Sequence, residues 1–128
     1  MRYLALDVGD RTIGLAVGEE TFGLARPLVT LRRRSVSADL EALREIVNRE
    51  DVGALVIGLP LTLGGETGYQ AARARSFAES ARALGRPIEL VDERFTTAEA
   101  QRRGEADLDA GAATVLLEDF FSARRRGA

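Results

Sequence analysis

The stretch LALDVGDRTIGLAV (residues 4–17) decides the fold, because it reads as two apolar strands joined by a short turn that contains glycine. The run from Tyr3 to Leu6 is apolar, as buried strands are, and Asp7 follows it directly. A carboxylate at the end of a buried strand has to be exposed, paired or bound to a cation, since an isolated buried charge is very costly. Asp7 is therefore the first candidate for a functional residue.

The residue types that are missing restrict the chemistry. The 128 residues include no His, Cys or Lys, so all 18 basic side chains are arginines. Histidine-based triads, thiolate nucleophiles, Schiff-base lysines and P-loop lysines are thereby excluded. An enzyme built from this chain has to use carboxylates, and clustered carboxylates suit Mg²⁺ or Mn²⁺ rather than zinc.

Length, hydropathy and charge set the broad class. A chain of this length with 45% hydrophobic residues fits one domain, residues 1–128. Asp7 interrupts the first apolar run too early for a signal peptide or a membrane span, so we expect a cytoplasmic protein without membrane contact. The net charge of -2 argues against a global positive field. Phosphate binding would then be local, and the arginine runs at 32–34, 102–103 and 124–126 are candidates, although such runs are usually solvated faces.

Periodicity and turn signals predict an α/β fold in the order βββαβαβα, with a mixed five-stranded sheet and helices on both faces. Strands are expected at 2–8, 12–18 and 24–31, forming an antiparallel meander, and again at 54–57 and 88–91. Helices are expected after a cap at Ser35 or Ser37, ending near 51–53, and at 69–84 and 109–124, with Gly85 as a C-cap. A short helix at 96–103 and a polar loop at 104–108 fill the remaining interval.

Two further patterns concern the faces of the second strand and of the last helix. Alternation in the second strand leaves one face almost bare of side chains, since it carries only Gly14, Ala16 and Gly18. In the last helix, one stripe at helical spacing consists of Asp109, Ala113, Leu116 and Phe120. We expect this helix to bury one face against the sheet, with Asp109 at the N-terminal end of that face, and Ala112 and Ala113 would let its backbone approach closely.

Three carboxylates are expected to lie close together in space. Asp7 and Glu93 each follow a strand, Asp109 begins a helix packed on the sheet, and ligands of open α/β sheets gather at the strand ends. Three carboxylates are stable together mainly around a divalent cation, which could activate water for phosphodiester cleavage. Each also has a simpler interpretation: Asp7 could start the turn, Glu93 could be exposed or pair with Arg94, and Asp109 could be a helix N-cap.

The order of these signals resembles the YqgF/RuvX family over nearly the whole chain, residues 2–121. The matching positions are Asp7, Gly9, Arg11, Ile13, Gly14 and Ala16, then 56–61, ARARSFA at 72–78, DERFTTAEA at 92–100, and Asp109 with Ala112, Ala113, Leu116 and Leu117. That family has an RNase H-like fold and is described both as Holliday junction resolvases and as pre-16S rRNA processing nucleases. The resemblance implies that Asp7, Glu93 and Asp109 are metal-binding catalytic carboxylates.

One departure from the family concerns the loop before the last aspartate. Relatives commonly carry a lysine there, whereas this chain reads GEADLD, in which Glu105 and Asp107 add negative charge. The candidate phosphate contacts are therefore the arginines Arg11, Arg73, Arg75, Arg94, Arg102 and Arg103.

The residues and the resemblance together predict a nuclease that depends on Mg²⁺ or Mn²⁺ and acts on structured or single-stranded nucleic acid, with an RNA precursor in ribosome maturation as the expected substrate. A Holliday junction or DNA-repair nuclease is the first alternative. A non-catalytic nucleic-acid-binding module is the second, and retention of all three carboxylates counts against it. An actin-like ATPase would need two such domains around its nucleotide. Whether the protein is a monomer or a homodimer is not readable from the sequence.

Overall fold

The computed structural model describes residues 1–59, 69–92 and 108–127. They form the strands β1 (Arg2–Val8), β2 (Thr12–Glu19), β3 (Leu24–Arg32), β4 (Ala54–Leu59) and β5 (Ile88–Asp92), and the helices α1 (Val36–Arg49), α2 (Tyr69–Ala81) and α3 (Leu108–Gly127). The predicted order βββαβαβα is confirmed in these residues. The expected helix at 96–103 and the interval 104–107 lie outside the described residues.

The sheet is mixed and has the strand order β3-β2-β1-β4-β5. The first three strands pair antiparallel as the predicted meander, whereas β4 and β5 run parallel to β1. β4 is buried along its whole length, as its continuous apolar sequence predicts. Parallel pairing places the carboxyl ends of β1, β4 and β5 at one edge of the sheet, which we call the C-terminal edge.

Helices cover both faces of the sheet, as predicted. One core cluster joins Leu4, Leu6 and Leu15 to α1 and α2, for example through Leu43 and Phe77. The other joins alternate residues of the strands to α3: Tyr3, Ala5, Ala16 and Val56 pack against Ala113, Leu116, Leu117, Phe120 and Phe121. The period-two alternation of β1 therefore separates the two clusters.

The bare face of β2 allows α3 to lie close to the sheet. A Cβ atom at Gly18 would lie 2.5 Å from the carbonyl oxygen of Leu24 and 2.9 Å from the ring of Phe121. Contacts this short mean that any side chain at that position would force the Leu24 backbone or the Phe121 ring to shift. The predicted close approach of this helix is confirmed.

Several predicted boundaries were inexact. Ser35 caps α1, accepting a hydrogen bond from the Ala38 amide at 3.0 Å, and the helix ends at Arg49 rather than near 51–53. The second helix becomes a 3₁₀ turn over Arg82–Leu84, which Gly85 ends with a φ of 73°. Four strands extend one or two residues further than predicted, since β-ladder pairing continues into polar or terminal positions.

The last helix also differs from its prediction. It begins at Leu108, which was expected in the preceding loop, and extends to Gly127. Its residues from Ala110 to Leu117 are buried on every side rather than on one stripe. The reason is visible in the composition of that half, since a helix that is apolar all round belongs in an interior. No helix in the described part of the chain is long and apolar enough to span a membrane.

Candidate active site

Asp7 lies at the C-terminal edge of the sheet. It is the penultimate residue of β1, is half-buried, and stands opposite Gly14 in the antiparallel ladder with β2. The alternation that turns Tyr3 and Ala5 toward α3 places Asp7 on that same face. Its carboxylate therefore belongs to the α3 side of the sheet and is part of the strand rather than of the turn that follows.

The direction of α3 brings its N-terminal end toward Asp7. Tyr3, near the start of β1, contacts the far end of the helix, with ring centroids 5.2 Å from Phe120 and 5.7 Å from Phe121. Going back from Phe120 to Asp109 covers about 16 Å of helix, while Tyr3 to Asp7 covers about 13 Å of strand. The first turn of α3, in which Asp109 is the second residue, thus lies at the same edge as Asp7.

The third predicted carboxylate, Glu93, follows the last residue of β5 and lies outside the described residues. β5 ends at Asp92, which pairs with Leu59 at the C-terminal edge. β4 alone separates β5 from β1, so the two strand ends are about 10 Å apart. The side chain of Asp109 is likewise outside the described part. The end of β1, the end of β5 and the start of α3 therefore lie at one edge of the sheet. Of the three predicted carboxylates, only Asp7 has a described side chain.

The donor set bears on a possible metal ion. Carboxylate oxygens are hard ligands of the kind that Mg²⁺ and Mn²⁺ prefer, and Asp7 supplies one such group at the edge. Within residues 1–59, 69–92 and 108–127, no group of three acidic side chains is placed to hold a metal ion. A three-carboxylate site would have to be completed by Glu93 and Asp109.

Two of the predicted phosphate contacts lie beside the turn that joins β1 to β2. Arg11 is an exposed residue of this turn. Arg73, on α2, forms an ion pair with Asp10 of the same turn, with Nη1 2.9 Å from Oδ1, and both side chains are about half exposed. One predicted phosphate contact thus belongs to the turn that follows Asp7, and the other is paired with a residue of that turn.

Arg75, another predicted phosphate contact, is not part of this group. Arg75 is two positions from Arg73 and so faces another direction on α2. It lines a groove of about 430 Å³ between α2 and β5 together with Arg82 and Arg86. Arg94, Arg102 and Arg103 lie outside the described residues.

The arginine run at 32–34 is not uniformly exposed to solvent. In the first run Arg32 and Arg34 are exposed, whereas the side chain of Arg33 is only 13% exposed and contacts the β1–β2 turn. Sequence reasoning missed this residue because a run of like charges looks the same whichever member is buried. The available signal was Asp39, a carboxylate six residues later in the first turn of α1.

Charges at the opposite edge of the sheet are compensated locally. Arg124, from the last run, donates to Glu20 at 2.5 Å and lies over the ring of Phe120. Its hydrogen bond to Glu20 raises the pKa of Arg124. The N-terminal ammonium lies 2.7 Å from Glu19 and, by hydrogen bonding, lowers the pKa of that carboxyl. Burial, followed by the charge of Glu20, raises the pKa of Tyr3.

Comparison with solved structures identifies the class of fold. Thermus thermophilus RuvC, solved in complex with a Holliday junction substrate, superposes with a TM-score of 0.63 over 98% of this chain and 96% of that chain, at 18% identity. The fold is therefore the RuvC-type, RNase H-like α/β fold, and the fold prediction is confirmed.

The sequence itself defines the family. Residues 1–123 match the family model described as "RuvX: Holliday junction resolvase". Relatives named "Putative pre-16S rRNA nuclease" are 46% identical over 132 residues in Thermus thermophilus, covering 95% of this chain and 98% of the relative, and 42% identical over 135 residues in Anaeromyxobacter, covering 97% and 98%. The chain belongs to the RuvX family. The predictions of that family and of a nuclease, a hydrolase of phosphodiester bonds, are confirmed at the family level.

Proposed function

We propose that this protein is a divalent-metal-dependent nuclease that processes precursor 16S rRNA, with Asp7, Glu93 and Asp109 as its metal-binding catalytic carboxylates. The observation that carries the proposal is the position of Asp7. It stands half-buried on the α3 side of the C-terminal edge, where the end of β5 and the first turn of α3 also lie. The absence of His, Cys and Lys leaves carboxylates as the groups able to do this chemistry at neutral pH.

A divalent cation held by these carboxylates would supply an activated water and would stabilise the charge that develops on the phosphate oxygens. The protein's own residues have two further tasks. The strand end and the helix end fix where the carboxylate oxygens stand, since both belong to rigid elements. Arg11 and Arg73 offer guanidinium forks that can hold phosphates on either side of the scissile bond.

The charge distribution supports local rather than general binding of nucleic acid. The chain as a whole carries a charge of -2, and Arg124 at the opposite edge is paired with Glu20. Arg11 and Arg73, which lie at the turn that follows Asp7, would supply the local phosphate contacts. We infer a strongly salt-dependent affinity that comes from a few phosphate contacts.

A DNA junction is the second candidate substrate, because the matching family model is described as a Holliday junction resolvase. The relatives named for pre-16S rRNA extend over almost the whole chain at 42–46% identity, which favours RNA. Both substrates would use the same carboxylate site.

The experiment that tests the proposal compares the two substrates directly. Labelled precursor 16S rRNA fragments and a labelled four-way DNA junction are incubated with the protein in Mn²⁺, in Mg²⁺ and in EDTA. We expect cleavage of the rRNA precursor in either metal, none in EDTA, and none by Asp7→Asn. Asp51→Asn is the matched control, because Asp51 is exposed in a turn at the other edge with a φ of 54°, which asparagine tolerates. Cleavage that persists in EDTA, or in Asp7→Asn, would contradict the proposed site.

A further inference from the structure

Arg33 is held on three sides by groups from three other segments of the chain: the β1–β2 turn, α1 and α2. Its Nε lies 3.3 Å from Oδ2 of Asp39, whose side chain is only 3% exposed. Its guanidinium carbon lies 5.0 Å from the centre of the Phe77 ring on α2. An arginine with a buried carboxylate on one side and an aromatic ring on another has little freedom to move.

The remaining donors of Arg33 contact the β1–β2 turn. Nη1 donates to the carbonyl oxygen of Gly9 at 3.1 Å, and the backbone amide of Arg33 donates to the carbonyl oxygen of Arg11 at 2.8 Å. The turn is closed by a bond from the Gly9 amide to the carbonyl of Thr12 at 2.8 Å. Arg33 thus holds two carbonyl groups of this turn, that of Gly9, two residues after Asp7, and that of Arg11.

We infer that Arg33 is a positioning residue for the candidate active site, acting through the turn on Asp7. Its planar fork joins Asp39 of α1 and the Gly9 carbonyl in one rigid unit, and Phe77 of α2 holds the plane of that fork. Both helices on one face of the sheet are thereby tied to the end of β1 that carries a carboxylate on the other face. The inference rests on the proposed function, since it assigns Arg33 a role in that same site.

Lysine is the informative substitution, because Arg33→Lys keeps the charge but cannot present two donors in a fixed plane. The matched control is Arg2→Lys. Arg2 forms a similar fork, with Nε 2.6 Å from the Glu50 carbonyl oxygen and Nη2 3.0 Å from the Glu50 carboxylate. That fork lies at the start of β1, at the opposite edge from Asp7, so it reports the structural cost alone.

The experiment measures kcat and KM on a cleavable nucleic acid, and the rise in melting temperature that Mn²⁺ alone produces, for the wild type and both variants. We expect both variants to melt at a lower temperature than the wild type. Only Arg33→Lys should lose kcat, by about tenfold or more with KM nearly unchanged, since small misplacements of a catalytic group are costly. Only Arg33→Lys should also show a smaller Mn²⁺-dependent rise in melting temperature.

Equal effects of the two variants on kcat and on the Mn²⁺ shift would overturn the inference and leave the proposed function standing. A wild type that neither cleaves nor gains stability from Mn²⁺ would overturn both. If Arg33→Lys does not fold, Asp39→Asn is tested in its place. This variant leaves Arg33 able to donate to Gly9 but weakens its pairing with residue 39. It should therefore also lower kcat, by a smaller factor. Unchanged kcat in Asp39→Asn would then overturn the inference.

Discussion

Arg73 and Asp10 form an ion pair of 2.9 Å that joins α2 to the turn following β1. Asp10 is therefore bonded to the same guanidinium group that we propose as a contact for a substrate phosphate. Because both side chains are about half exposed, the pair is weak and a phosphate can replace the carboxylate.

Replacing Asp10 should therefore strengthen binding of nucleic acid. Asp10→Asn removes the carboxylate that pairs with Arg73 and takes a negative charge from the path of the substrate, so we expect the Kd for single-stranded RNA at low salt to fall about threefold. Fluorescence anisotropy measures it. The matched control is Glu79→Gln, which makes the same charge change and breaks the exposed Glu79–Arg82 pair on the same helix. Equal gains in the two variants would mean that Arg73 has no particular role.

The salt dependence of binding should identify the arginines that contact phosphate. Arg11→Gln and Arg73→Gln should each weaken binding and reduce the slope of log Kd against log salt by about 0.7, the contribution of one phosphate contact on a single strand. Arg49→Gln serves as control, since Arg49 is exposed in the last turn of α1 at the other edge. Slopes that change equally in all three variants would show that net charge, rather than position, controls binding.

The sequence allowed much of this fold to be predicted. Alternation in β2 correctly identified the strand face that carries only Gly14, Ala16 and Gly18, and the small residues Ala112 and Ala113 correctly indicated that the last helix packs closely. Arg33 could not be predicted, because its burial depends on Asp39 and Phe77, which come from two other elements. Helix and strand ends were inexact for a related reason, since ladder pairing and the all-round burial of α3 depend on neighbours in space. Of the site, the position of Asp7 near the end of the first strand was predicted correctly, while the roles of Asp7, Glu93 and Asp109 stay predictions.

Because α3 packs closely on β2, even a methyl group at position 18 should lower the free energy of unfolding. Gly18→Ala would place a methyl group against the Leu24 carbonyl and the rings and methyls of α3, so we expect a loss of about 1–3 kcal/mol in the free energy of unfolding, measured with urea. Gly53→Ala is the control, because its new methyl would meet only the flexible end of Met1. A Gly18→Ala variant as stable as Gly53→Ala would contradict the described packing.

Glu19 should give stability a specific dependence on pH. Its pKa is lowered in the folded protein by the hydrogen bond from the N-terminal ammonium, below the ordinary value of 4.5. The stabilisation is therefore present above the unfolded pKa and is lost as the pH falls through the folded pKa. Melting curves from pH 7 to pH 3 should show the wild type more stable than Glu19→Gln at neutral pH and the difference disappearing in acid. A difference that stays constant down to pH 3 would contradict the assignment.

The central claim is that Asp7 is a metal ligand, and thermal melting of the wild type, Asp7→Asn and Asp51→Asn in EDTA and in Mn²⁺ tests it most directly. If Asp7 binds the cation, Mn²⁺ at about one hundred times its Kd stabilises the wild type and Asp51→Asn by about 2.7 kcal/mol. Asp7→Asn should then gain much less from Mn²⁺, keep at least wild-type stability in EDTA because like-charge repulsion is relieved, and fail to cleave. An Asp7→Asn variant that is about 1–3 kcal/mol less stable in EDTA, gains as much as the wild type from Mn²⁺ and still cleaves would show a purely structural carboxylate and contradict the account.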